Sequence, residues 1–558
     1  MCGVIPTLLH PGHTVGDGVD AFGTHWFYWW IRQCVEHFGD PSATTLFFYP
    51  DGKDIFADTG NNFVDAVWSV PFQWVFGPTL YQPLFIVVLQ LVNVTSFAAL
   101  ARYLWPAGGG SDDAGRTAFV ATLLWQVHPY VLFEYTAGRP TQGVVCFLPL
   151  AVLYLLKSAR EPGLRNAAGL GLSVALAGWT YWFYGYFLIF LLAPIAAWEA
   201  ARAPRPALVI GRWGLAACLA GLVVAPGALP MVQAVMDGRV PGIGVGGTTP
   251  PALANNVEQE LHGLWLMETR GAPLFTRLAV GIPLLAALVW PRLEVPGGRA
   301  RWSVALVVCL VLGLGAGIRL ESGEVVGNPF YLAFYAHLPF FSRLWFPYRF
   351  AAVAFIPTVI LITSLWRQLG ARTAVAAVLA VGGLAGQAWS GDWPFRHHDA
   401  RPPAVLEVLA TAPGGVLFLP VGIQHDALMW QTTFQRPMFG GMGESAKIFW
   451  PVGYRRRLHD PFVTALTMAA RGRLPSRPPT PEDRDPIRAL GFRWVVLRLD
   501  LVAEQGGLDA PDPARSAVGD VIGSVPMAAD ERVVVWDLDA PARRTPAQPE
   551  GPAAPPPE

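Results

Sequence analysis

Residues 16–30 read GDGVDAFGTHWFYWW. Asp17 and Asp20 stand just ahead of His25 and an aromatic block from Trp26 to Trp30, in a chain that is otherwise mostly apolar. Three more carboxylates, Asp51, Asp54 and Asp58, follow in LFFYPDGKDIFAD, where Pro-Asp-Gly is a turn signal that brings them near the surface. Carboxylates accept protons in general-base chemistry and hold hard cations. Upstream, HPGH carries His10 and His13 with Asp17 nearby, a metal-like content with no helix or strand in the sequence pattern to fix the rings. Other chemistries leave no signature. There is no HExxH and no GxSxG, and VPGIGVGGTTPP (240–251) lacks the helix and Lys-Ser/Thr of a phosphate loop, so it reads as a flexible segment. The five cysteines show no CxxC or finger spacing, which argues against a zinc finger or a disulfide framework.

The elements that must position these groups are membrane helices. Hydrophobic residues make up 53% of the 558, charged residues only 14%, and the mean hydropathy is +0.37. Lys+Arg and Asp+Glu are both 40, so no basic field exists to attract nucleic acid. Apolar stretches of spanning length recur near 80–101, 117–135, 142–157, 167–182, 184–200, 210–232, 274–291, 302–318, 348–366 and 373–389, which predicts about ten or eleven helices. Short connections carry Arg102 and Arg116; Lys157, Arg160 and Arg165; Arg202, Arg205 and Arg212; Arg292, Arg299 and Arg301; Arg367 and Arg372. These face the cytoplasm by the positive-inside rule. The long acidic connections 10–79, 233–273 and 319–347 then face outward, as does everything after about residue 390. An outward first loop needs a preceding span. MCGVIPTLLHPGH offers about nine apolar residues, too few to cross, and reads as a truncated first helix, with no signal-peptide pattern visible.

Within the first outward loop, 10–79, the run from Phe27 to Phe38 predicts an amphipathic helix lying in the interface, its apolar side in lipid and His25, Arg32 and Glu36 opposite. A second juxtamembrane helix, 61–77, is expected to break at Pro71. Past Trp389 the pattern changes: GGVLFLPV (414–421), FRWVVLRLDL (492–501) and ERVVVWDLD (531–539) read as strands between helical stretches. We therefore expect a transmembrane domain over 1–389, an outward α/β domain over 390–540, and a Pro-rich disordered tail over 541–558.

The acidic pair, the juxtamembrane helices, the YPDG turn, the alternation of short and long loops and the C-terminal α/β domain together resemble the C-type (GT-C) multi-spanning glycosyltransferases. LPFFSRLWFPYRF (338–350) and VLFLPVGIQHDALMWQTTFQRPMFGGMGE (416–444) are similar to segments of YfhO-like bacterial membrane proteins of that superfamily. The resemblance implies a helical bundle in the cytoplasmic membrane that moves a sugar from a polyprenyl-phosphate donor to an envelope glycan, lipid or protein acceptor. It makes Asp17 or Asp20 the general base, or a ligand where a divalent metal takes part. A sugar phosphate already has a good leaving group, so cations must hold the departing phosphate: Arg139, Arg343, Arg349, Arg270 and His262 are the candidates. His25, Asp51, Asp54, Asp58 and Glu134 complete the candidate set.

Structural roles compete for the same residues. Asp20 stands where a helix N-cap would, the tryptophans suit interfacial anchoring, Arg343 and Arg349 suit snorkelling helix ends, and Glu134 with Arg139 suits a structural ion pair. Two other functions compete as well, a transporter or flippase of lipid-linked sugars and a non-catalytic envelope scaffold. Against transport, the expected spans hold little charge, Gln90, Asn93 and Gln126 being the main polar exceptions, and no internal repeat is visible.

Overall fold

A computed structural model describes residues 2–16, 19–58, 63–106, 113–126, 128–161, 163–238, 283–319, 325–344, 346–370, 395–422, 425–441, 450–474, 480–506 and 510–540. The expected span 373–389, the Gly-rich segment 240–251 and the tail 541–558 lie outside them, as do Asp17, His262 and Arg270. The chain divides into two compact units, one of residues 1–39 and 55–399, the other of 40–54 and 400–558.

The first unit is mainly helical. It opens with α1 (Ile5–Leu9), β1 (His13–Val15), α2 (Val19–His37) and, past the segment of the second unit that holds β2 (Ala43–Thr44) and β3 (Lys53–Asp54), α3 (Ile55–Asp58). There follow α4 (Phe63–Leu104), α5 (Asp113–Gln126), α6 (Pro129–Thr136), α7 (Phe147–Arg160), α8 (Leu164–Thr180), α9 (Trp182–Arg202), α10 (Pro206–Met236) and α11 (Arg299–Gly313). The hairpin β4 (Gly317–Arg319) and β5 (Val325–Gly327), α12 (Pro329–His337), α13 (Ala351–Gln368) and β6 (His397–Asp399) close the unit. Among the described residues, four helices are long and apolar enough to cross a membrane: Phe63–Leu104, Trp182–Arg202, Pro206–Met236 and Pro347–Gln368. α8 packs against α7 and α10, α4 against α5 and α7, and α11 against α9 and α13.

Three helices depart from the sequence pattern for identifiable reasons. α4 continues through Pro71 and kinks instead at Gly77, whose φ of +76° ends one helical run before Pro78 starts the next. The stretch 117–135 is two helices, because Pro129 lacks an N–H and restricts the residue before it. Gln90 meets the loose end by donating to the Gln126 carbonyl at 2.8 Å. Asn93 does the same for the irregular segment ahead of α7, donating to Gly143 O at 2.7 Å and accepting from Val145 N–H at 3.0 Å. Gln90 and Asn93 are thus backbone clamps, as irregular chain away from water requires. Finally, α2 does not turn its aromatic side to lipid. Trp26, Phe27, Tyr28, Trp29, Ile31 and Cys34 are all buried within the protein, as is His25, and Trp26 stacks on Trp30 at 5.9 Å.

At one end of the bundle, Glu199 near the end of α9 accepts from Arg160 at the end of α7, at 2.9 and 3.0 Å, and from Arg301 at the start of α11. This clasp gathers three of the basic helix ends. α9 has 21 residues, so its opposite end lies about 30 Å away.

The second unit is built on a five-stranded sheet in the order β10 (Ala528–Ala529), β11 (Val533–Asp537), β9 (Phe492–Arg498), β7 (Gly415–Leu419), β8 (Met438–Phe439). β7 pairs in parallel with both β8 and β9, whereas β11 is antiparallel to β9 and β10. All five residues of β7 and of β11 are buried, as continuous apolar strands covered on both faces must be. Residues 46–49 run beside β8: Met438 N–H donates to Leu46 O at 2.7 Å and Tyr49 N–H to Met438 O at 3.0 Å. Phe47 and Phe48 are fully buried there. Asp51 pairs with Arg457, and Asp54 sits in β3 opposite Ala43. These two carboxylates, expected beside Asp17 and Asp20, belong to the second unit.

Candidate active site

The end of the bundle opposite the Arg160–Glu199–Arg301 clasp gathers four of the residues singled out by sequence. Glu134 lies in α6, and the chain reverses at Gly138 so that Arg139 N–H donates to Glu134 O at 2.8 Å. The reversal folds the Arg139 side chain back, and its Nε donates to the Glu134 carboxylate. Its Nη1 reaches Asp20 in the first turn of α2 at 2.9 Å. Arg349 arrives from the 3-10 turn Pro347–Phe350 ahead of α13, with Nε 3.8 Å from Glu134 and Nη1 donating to the Tyr181 hydroxyl. Glu134 is fully buried, whereas the Asp20 side chain is 56% exposed. The carboxylate at the rim is the one open to an incoming molecule.

Close backbone approach makes this meeting possible. Gly16 and Gly138 both have positive φ, +106° and +72°. A Cβ on Gly16 would stand 2.2 Å from Gly138 Cα, and one on Gly138 would stand 2.3 Å from Ala21 Cβ. Only glycine fits either position. Gln82 of α4 holds β1 just upstream as a strand partner would, accepting from Val15 N–H at 2.7 Å and donating to Val15 O at 3.4 Å. Below the rim, Asp65 of α4 is fully buried and accepts from the Tyr28 hydroxyl of α2 and, at 2.7 Å, from the Thr141 hydroxyl. Asp65 thereby ties the helix that carries Asp20 to the loop that carries Arg139.

Electrostatically the centre is a cationic pair around one buried anion. Burial is the largest influence and works against the Arg139 charge, but Glu134, Tyr348 and Asp20 act together in the other direction, so the group is held above the ordinary arginine range despite Arg349 nearby. Arg139 Nη2 and Arg349 Nε are buried and make no hydrogen bond among the described residues. Open guanidinium N–H groups of this kind suit the oxygens of a phosphate. Aromatic faces flank them: Phe133 lies 5.3 Å from the Arg139 guanidinium, and Phe346 and Tyr181 lie 4.7 and 5.3 Å from that of Arg349.

The other expected members lie on other segments of the chain. Arg343 lies in the 3-10 turn Phe341–Arg343, partly buried. Asp58 ends α3. His25 is buried in α2, and burial, helped by His398 and Arg32, pushes it down to about 3, so it is a neutral ring at physiological pH. Asp20 is not an N-cap but stands inside the first turn of α2, where the helix dipole favours a carboxylate. Sequence reasoning passed over Asp65, Tyr28, Thr141 and Tyr181. The available signal was Asp65 itself, a lone acid within an apolar and aromatic helix.

No family model matches the chain, and no curated protein does. A solved structure, that of ArnT from Cupriavidus metallidurans in the apo state, is similar over 96% of both chains at 13% identity, with a TM-score of 0.42.

Proposed function

We propose that this chain is a membrane glycosyltransferase of the GT-C type, which moves a sugar from a polyprenyl-phosphate donor to an envelope acceptor on the outer face of the cytoplasmic membrane. The observation that carries the proposal is the pair of buried guanidinium groups, Arg139 and Arg349, with open N–H donors beside a solvent-facing carboxylate, Asp20. In this scheme the donor phosphate takes over the N–H groups of Arg139 and displaces Asp20 from it. Freed, the Asp20 carboxylate takes the proton of the acceptor hydroxyl as its oxygen attacks the anomeric carbon. The bond from that carbon to the phosphate oxygen breaks, and the phosphate leaves with the electron pair into the field of Arg139 and Arg349. The reaction is a single displacement with inversion.

The Asp20 role is tested with Asn and Ala variants assayed on a polyprenyl-phosphate sugar donor. A base lost to Asp20→Asn lowers turnover by about two orders of magnitude or more, with normal expression. Full activity in both variants would make Asp20 structural and move the search for a base to Asp17. One observation favours transport as a second reading: the span over Asp113–Thr136 is broken, as in many transporters. Donor-dependent lipid-linked sugar flipping in proteoliposomes, without glycosyl transfer, would establish that reading instead.

A further inference from the structure

The histidines of HPGH meet a second pair of histidines in the fold. β1 pairs antiparallel with β6, setting Val15 opposite His397, Thr14 opposite His398 and His13 opposite Asp399. Across the strands the Nδ1 atoms of His13 and His397 stand 2.8 Å apart, although the residues are 384 apart in sequence. His10, exposed and just ahead of β1, lies stacked on His397 with ring centroids 5.2 Å apart and an interplanar angle of 19°. Among the described residues no group of three His, Cys, Asp or Glu could hold a metal ion, and these three rings are instead bonded and stacked on one another.

Two imidazole Nδ1 atoms at hydrogen-bond distance share one proton. One ring donates its Nδ1–H, and the other accepts with its Nδ1 lone pair while its own hydrogen sits on Nε2. The accepting ring then has one free basic site, and that site is the bond itself. A proton arriving there sets N–H against N–H, and the bond is lost. His398 behaves differently. Its Nδ1–H donates to Gly16 O at 2.7 Å, so Nε2 accepts from the Thr14 hydroxyl at 3.0 Å. A proton on that Nε2 only reverses the second bond, because a hydroxyl also accepts.

The surroundings oppose charge on the pair. His397 is held below the ordinary histidine value, first by partial burial and then by His13 and His10. Arg396 and Asp399 flank the histidines of β6, and α2 carries Asp20, His25 and Arg32. α1 carries no charged residue, and α4 meets β1 through the amide of Gln82. Asp399, opposite His13 in register, attracts a proton to the pair but cannot remake the bond once both nitrogens carry hydrogen. Each strand has three residues, and a two-stranded sheet of that size is marginal. Gly16, at its end, donates its N–H to Arg396 O at 2.6 Å and lies against Gly138, so the sheet runs into the close approach beside the Asp20–Arg139 contact.

We propose that the His13–His397 pair is an acid-release latch: at neutral pH the shared proton holds β1 on β6, and on acidification a further proton breaks the bond, parts the strands and loosens the segment that leads into α2. The window opens below the ordinary histidine value of about 6.5. The parted rings take up protons more readily than the bonded ones, so acid favours release. The latch does not rest on the glycosyltransferase reading, because it needs no substrate.

Hydrogen exchange of the full-length protein in detergent, at about pH 7.5 and about pH 5 and corrected for the intrinsic pH dependence of amide exchange, tests the latch. Protection over residues 13–16 and 396–399 is expected to fall at least about tenfold at the lower pH, while the histidine-free hairpin β4–β5 of the same unit keeps its protection. In a His13→Gln/His397→Gln variant the two amides still bond to each other but take no charge, and protection is expected to be equal at both pH values. His10→Ala, at an exposed position that leaves the pair in place, removes one charge that opposes the further proton and is expected to make the fall shallower. Undiminished protection of the wild type at the lower pH overturns the latch. So does the same fall in the double Gln variant, which would place the trigger in His398 or His25. A parallel loss in β4–β5 overturns it as well, since acid would then be loosening the whole unit.

Discussion

Asp65 shows what a single buried acid can do without touching a substrate. It accepts from Tyr28 and Thr141, so its removal strands two buried hydroxyls at once. Asp65→Leu is expected to destabilise the protein by about 2–4 kcal/mol and to lower kcat more than it raises KM, because Asp20 and Arg139 lose their common support. Asp65→Asn keeps an acceptor oxygen and is expected to recover most of both. Thermal unfolding in detergent and steady-state kinetics check the pair of variants, and equal behaviour of Leu and Asn would exclude a positioning role. His25 gives a pH-dependent counterpart. Its folded pKa, about 3, lies below the ordinary value of 6.5, so the unfolded chain binds a proton that the folded one does not over that interval. Stability therefore falls as pH drops from 6.5 toward 3, by at most about 1.4 kcal/mol per pH unit from this group. His25→Phe is expected to flatten that slope, measured as the change in Tm between pH 7 and pH 5. Residue types were readable from sequence here, since Asp20, Glu134, Arg139 and Arg349 were all picked out. The local Glu134–Arg139 pair was readable too, but the Asp20–Arg139 contact was not, because it spans 119 residues and no local pattern encodes it.

At the scale of elements, the meeting of the loop before α2 with the loop after α6 depends on two missing Cβ atoms. Gly138→Ala places a methyl group against Ala21 in a backbone conformation that L residues avoid, and Gly16→Ala does the same against Gly138. Each is expected to reduce activity at least tenfold and to lower Tm. Gly211→Ala, inside α10 with open space around the new methyl, is the control and is expected to be neutral or slightly stabilising. Similar losses at all three positions would mean that helix glycines in general, rather than this approach, limit the fold. Hydropathy located most of the helices because burial in an apolar medium is written residue by residue. The breaks were harder. Pro71 was read as a break and is not one, whereas Gly77 and Pro129 are, since a proline's effect depends on whether neighbouring carbonyls find other donors.

At the scale of the whole molecule, the second unit is drawn from two separate stretches of sequence, 40–54 and 400–558. Strand patterning identified β7, β9 and β11 correctly, but nothing local in LFFYPDG showed that it completes the sheet of the second unit. A chain of residues 400–540 alone therefore lacks the segment beside β8 and leaves the seats of Phe47 and Phe48 empty. Supplying residues 40–54 through a flexible linker is expected to raise its stability by about 3 kcal/mol or more, from burial of those two rings. Denaturant unfolding of the two forms measures the difference, and identical midpoints would show the segment to be a passenger.

The placement of residues 40–54 also sets a schedule. They are synthesised about 390 residues before β8, the strand they run beside. At 5–20 residues per second, that is roughly twenty seconds to a minute and a quarter. Throughout that interval Phe47 and Phe48 have no seat, and the bundle must form around an open loop whose partner has not yet been made. A premature stop anywhere before β8 leaves the early loop without the strand it runs beside and its two phenylalanines without a seat.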